Sequence, residues 1–126
     1  MISNRRERKI LEKFENKYLT ESKEKRASVA LKNPKTIWVN TGTLCNITCN
    51  NCYIFSSPKN DELIYFQDKF FIKYLEEIKS LNWPIEEIGF TGGEPFLNKE
   101  ILIMSERALK EKYKILILTN AMQPMQ

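Results

Sequence analysis

Ile37-Trp38-Val39-Asn40-Thr41-Gly42-Thr43-Leu44-Cys45-Asn46-Ile47-Thr48-Cys49-Asn50-Asn51-Cys52 is a short β-branched and aromatic run that passes directly into a loop carrying every cysteine of the chain. The run from Thr36 to Asn40 reads as a strand. Downstream, Ser56-Ser57-Pro58-Lys59-Asn60-Asp61 reads as an exposed turn. Phe70, Phe71, Tyr74, Leu75, Ile78 and Leu81 recur at helical spacing, which predicts a helix over 67–81, and Trp83-Pro84 breaks it. Ile85 to Phe90 is a second strand, closed by the turn Thr91-Gly92-Gly93-Glu94-Pro95. Asn98 is placed to cap the next helix, with Glu100 in its first turn and an apolar face of Ile101, Leu102, Met104, Ala108 and Leu109. Lys114 to Leu118 is a third strand, apolar throughout in the manner of strands buried on both faces. Thr119-Asn120 closes it. Strands alternating with helices predict right-handed crossovers, a parallel sheet and an α/β fold. Both chemically distinctive turns, 41–52 and 91–95, then follow the carboxyl ends of strands, where such sheets hold their ligands.

Upstream, Ile10, Leu11, Phe14 and Tyr18 predict an amphipathic helix over 3–26, ended by Asn33-Pro34. Arg5, Arg6, Arg8, Lys9, Lys13, Lys17, Lys23, Lys25 and Arg26 interleave with Glu7, Glu12, Glu15, Glu21 and Glu24. Mixed signs at three- and four-residue spacing describe a solvated helix face and argue against a nucleic-acid partner, although the net charge is +4. The chain has 126 residues, 42% hydrophobic and 29% charged, which suits one globular domain and excludes a disordered chain. No apolar run approaches the ~20 residues that cross a bilayer, and the N-terminus lacks the pattern of a signal peptide. A cytoplasmic location without a membrane partner is expected.

Cys45-x3-Cys49-x2-Cys52 sets three thiols in one tight loop, and the chain has no histidine. Three cysteines cannot all close into intrachain disulfides. A 4Fe–4S cluster held by three thiolates keeps one iron open to an outside ligand. Structural zinc wants four closed ligands, and a carboxylate or water would have to be the fourth here. A small iron–sulfur electron carrier and a zinc-binding interaction module are therefore the alternatives. Gly92 and Gly93 let a ligand approach the main chain, and their carbonyls with Glu94 make an acceptor-rich site suited to an ammonium group. The three sulfurs are expected to converge, and Gly92-Gly93 to lie beside the cysteine loop across adjacent parallel strands.

Together the cysteine loop and the Gly-Gly-Glu turn make the chain resemble the radical-SAM superfamily over about 36–122. The resemblance implies that Cys45, Cys49 and Cys52 hold a 4Fe–4S cluster. It also implies that Gly92, Gly93 and Glu94 bind the amino group of S-adenosyl-L-methionine (SAM). The activity implied is reductive cleavage of SAM to a 5′-deoxyadenosyl radical that abstracts hydrogen from an unknown substrate, with electrons from a flavodoxin- or ferredoxin-like donor. Where the family carries a hydrophobic residue before the third cysteine, to contact adenine, this chain has Asn51; Tyr53 is the aromatic residue at hand. The fold implied is the first half of a partial (β/α) TIM-like barrel over 35–126, truncated after its third strand and preceded by a helical extension over 1–34. Ile115 to Leu118 would then be an open edge, and the chain is expected to be marginally stable, to self-associate, or to need a second polypeptide supplying the missing half. Gly93→Val is expected to block SAM without removing iron.

Overall fold

The computed structural model describes residues 16–122. The chain divides into two units, Met1–Lys32 and Asn33–Gln126. In the first, the described residues do not continue the expected helix. Leu19 and Lys25 pair in an antiparallel bridge around a turn with Lys23 at φ 62°. Asn16 Oδ1 accepts from the backbone N–H groups of Tyr18 and Leu19, at 2.8 and 2.9 Å, and Thr20 Oγ1 accepts from that of Glu24 at 3.1 Å. Short polar side chains that capture nearby N–H groups compete directly with the helical ladder, and here they win. The remainder of the expected helix lies outside the described residues.

The second unit is built on three parallel strands, β1 (Thr36–Asn40), β2 (Glu87–Thr91) and β3 (Lys114–Ile117), in the order β1-β2-β3. Val39 sits opposite Phe90, and Phe90 opposite Ile117. Helices α1 (Asp68–Ser80) and α2 (Ile101–Lys110) connect them. Alternation along each strand sends Val39, Ile88 and Phe90 to one face, joined by the half-buried Ile37, Ile115 and Ile117. Phe71, Leu75 and Ile78 of α1, with Ile101, Met104 and Ala108 of α2, cover that face. Leu102 and Leu109, read as part of the buried face of α2, are exposed. They lie on the side of the helix turned from the sheet.

The other sheet face carries partly exposed apolar side chains among the described residues. Trp38 lies over Gly89 there, so closely that a Cβ on Gly89 would meet the indole at 2.5 Å. Trp38 is 49% exposed, and Leu116 and Leu118 are exposed on the same side. β3 is thus apolar but not buried on both faces as its composition suggests; only the face bearing Ile115 and Ile117 is covered.

Asn98 keeps part of its expected capping role, its Oδ1 accepting the Glu100 N–H at 2.9 Å, and takes on a second one. A 3-10 turn, Pro95–Leu97, intervenes, and α2 begins only at Ile101. Asn98 is buried, and its Nδ2 donates to the carbonyls of Thr41 at 3.2 Å and Phe66 at 2.9 Å. It fastens the two ends of the cysteine-bearing loop to the entry of α2. Glu100 caps the neighbouring helix: its Oε2 accepts from the Asp68 N–H at 2.6 Å. Arg107 then grips the Asp68 carboxylate with two bonds, at 2.9 and 2.7 Å, joining α1 to α2.

Candidate functional site

Between β1 and α1 the chain makes one long excursion along the carboxyl edge of the sheet, and its own polar groups close it into a loop. Thr41 continues β1 by donating its N–H and its hydroxyl to the Thr91 carbonyl, at 2.8 and 2.9 Å. Thr43 Oγ1 accepts from the Leu63 N–H at 3.1 Å, binding the start of the excursion to its end. Cys45 donates its N–H to Ser57 at 3.1 Å, beside a parallel bridge between Leu44 and Ser57. Asn60 Nδ2 donates to the Phe55 carbonyl at 3.0 Å, and Phe66 returns to the Thr41 carbonyl at 3.2 Å. Such pairing is what a loop rich in Asn, Ser and Thr provides.

The turn after β2 docks onto this loop through its backbone, as expected. Gly93 donates its N–H to the Gly42 carbonyl at 2.9 Å, and Glu94 donates to that of Leu44 at 3.0 Å. A Cβ on Gly93 would stand 2.1 Å from the Leu44 carbonyl oxygen, and one on Gly92, which has φ +138°, 2.6 Å from that of Gly42. Both glycines are therefore demanded by main-chain contact with the segment leading to Cys45.

Glu94, expected to join the glycine carbonyls in an acceptor-rich site, has donors of its own chain around it. It is 1% exposed, and its carboxylate receives the Phe96 N–H at 3.0 Å, the Thr119 hydroxyl at 2.9 Å and the Asn120 N–H at 2.9 Å. Hydrogen bonds from three residues satisfy this buried group. Thr119 and Asn120, read only as the end of β3, are site residues that the sequence reading missed. Their position at the carboxyl end of a strand, level with both distinctive turns, was the available signal.

All three cysteines are free thiols in different surroundings: Cys45 is buried, Cys52 half-buried and Cys49 exposed. Among the described residues no three His, Cys, Asp or Glu side chains are gathered to hold a metal ion. The backbone brings them into one loop. The loop chemistry nonetheless fits a thiolate-held cluster. Cys49 and Cys52 are joined by a turn, the Cys52 N–H donating to the Cys49 carbonyl at 3.3 Å. Backbone N–H groups of Ile54 and then Ser56 hold the Cys52 thiol below its ordinary pKa, favouring the thiolate. The Ser56 N–H lies 3.3 Å from that sulfur. The Ser56 hydroxyl, close enough to favour the same anion, is buried without a partner of good hydrogen-bond geometry. Tyr53, 71% exposed, stands above the carboxyl end of β2, its hydroxyl 3.3 Å from Thr91 Oγ1.

Residues 39–125 match the radical SAM superfamily. Over 68 residues the chain is 35% identical to the "Putative peptide biosynthesis protein YydG" of Bacillus subtilis (strain 168), a match covering 54% of this chain and 20% of that protein. No solved structure matches. Among the described residues no helix is long and apolar enough to cross a membrane.

Proposed function

The chain belongs to the radical SAM superfamily, and from that premise we propose that its cysteine loop and Gly-Gly turn form the cluster-bearing half of a SAM-cleaving site. The observation that carries this reading is the direct backbone docking of Gly93 and Glu94 on Gly42 and Leu44. It sets the turn beside the only three thiols of the chain, at one edge of a parallel sheet. Cys45, Cys49 and Cys52 would hold the cluster. When bound, a 4Fe–4S cluster with an open iron supplies the electron that cleaves SAM to methionine and the 5′-deoxyadenosyl radical, which takes hydrogen from the substrate.

The chain's own residues would bind, orient and shield. With the Glu94 carboxylate occupied by Thr119 and Asn120, the acceptors left to a SAM ammonium at this turn are main-chain carbonyls. Tyr53, tethered to Thr91, offers the aromatic surface for adenine that Asn51 does not. Likeness to a protein named for peptide biosynthesis favours a peptide substrate. Exposed Tyr53, Phe55, Leu63 and Ile64 around the loop give such a segment apolar surface to meet.

Anaerobic reconstitution with iron and sulfide tests this directly. About four irons per chain are expected, with the reduced cluster's paramagnetic resonance spectrum altered by SAM. Cys45→Ser, Cys49→Ser and Cys52→Ser should each abolish uptake. A single zinc per chain, or a cluster spectrum indifferent to SAM, would refute the reading.

A further inference from the structure

The end of β3 reaches back into the site through two consecutive residues. Thr119 Oγ1 donates to the Glu94 carboxylate, 2.9 Å from each oxygen, and the Asn120 N–H donates to Glu94 Oε2 at 2.9 Å. The backbone of Asn120 is thereby fixed, and its side chain points at the cysteine loop. Asn120 Nδ2 donates to Asn46 Oδ1 at 2.8 Å and lies 3.5 Å from Cys45 Sγ, within reach of a hydrogen bond to sulfur. Cys45 is buried, so water is a poor substitute for that donor.

We infer that Asn120 is a positioning residue for Cys45, donating to its sulfur and setting how readily a cluster held there accepts an electron, with Glu94 fixing Asn120 in place. This inference rests on the cluster reading above. A donor N–H directed at a ligating sulfur draws negative charge from it, and so favours the reduced, more negative cluster. In a buried setting the effect is larger than in water, since the low local dielectric screens it less. The comparison with Cys52 sharpens the assignment. There the sulfur accepts from a backbone N–H, that of Ser56, whereas at Cys45 a replaceable side chain does the work.

Two variants and two readouts decide the matter. Asn120→Asp is nearly isosteric but loses the amide donor and adds a negative charge; Asn120→Ala loses the donor alone. Both keep the backbone N–H that binds Glu94. In the chain without iron, the side-chain amide resonances of Asn120 should move on Cys45→Ala substitution. Unmoved resonances overturn the contact. After reconstitution, both variants should have a lower midpoint potential than the parent, Asn120→Asp the lower of the two. At a poise near the parent's midpoint, this reads as a several-fold fall in the ratio of reduced to oxidised cluster. A merely structural role would change melting or iron loading and leave the potential where it was, and that result overturns the inference. A parent chain that takes up no iron refutes the cluster reading and this role with it, while the resonance experiment still reports the contact by itself.

Discussion

Two connections leave neighbouring strands at the same edge of the sheet and are built in opposite ways. The one after β1 wanders through residues 41–67 before α1 begins, closed on itself by Thr and Asn side chains and by a few scattered main-chain bonds, with its three thiols in different environments. The one after β2 passes at once into a tight turn, held by main-chain bonds and by a buried carboxylate. A loop that relies on single side-chain bonds, such as those of Thr43 and Asn60, can let its thiols turn inward together, because each bond contributes only about 1 kcal/mol. A turn packed backbone against backbone has no such freedom. The rigid connection positions the adaptable one.

Gly93→Ala should break this arrangement most severely. A Cβ 2.1 Å from the Leu44 oxygen has only main chain to push against, and we expect a loss of about 3 kcal/mol or more. Denaturant unfolding measures it, and a midpoint close to the parent's would mean that the turn is not rigid. Because the displaced segment leads to Cys45, iron uptake should fall too, and Gly93→Val should behave likewise instead of sparing iron as the motif alone suggests.

Glu94→Ala tests whether the carboxylate is what pins the turn. It strands the N–H groups of Phe96 and Asn120 and the hydroxyl of Thr119, a cost of about 2–3 kcal/mol in the same experiment. Glu94→Gln, which keeps an acceptor oxygen, should cost less. Equal losses for the two would shift the explanation from hydrogen bonding to volume.

Thr43→Val removes the staple between the ends of the long loop. We expect about 1 kcal/mol, with hydrogen exchange rising at Leu63 and not at Gly93. Faster exchange at both would show that the two connections open as one unit.

The smallest effect concerns Cys52. Its folded pKa is depressed by the N–H groups of Ile54 and Ser56, so its thiolate forms at lower pH than an ordinary thiol's. The stabilisation linked to this is present above the unfolded pKa and fades as pH falls through the folded value. Alkylation of Cys52 in the chain without iron should therefore rise with pH along a curve whose midpoint lies below the thiol's usual 9.0. Denaturation should return it to the ordinary value.

Much of this was legible in the order of the residues, for local reasons. Helical spacing of Phe71, Leu75 and Ile78 marks α1, β-branched runs mark β1 and β3, and the place of both motifs at strand ends follows from parallel crossovers. Periodicity and handedness are properties of short segments, so a one-dimensional reading captures them. It failed between 16 and 26, where an apolar rhythm gave way to side-chain capture of N–H groups by Asn16 and Thr20. It also failed for β3, since composition says that a strand is apolar and not which of its faces is covered. Only the tertiary structure decided what Glu94, Asn98, Thr119 and Asn120 do. Glu94 meets the end of β3 from 25 and 26 residues away, and Asn98 ties together chain 57 and 32 residues off. Such bonds arise where unrelated segments cross at the edge of a folded sheet. The same holds for the glycines: the motif names Gly92 and Gly93, but it took the folded chain to bring the carbonyls of Gly42 and Leu44 so close that no side chain fits between.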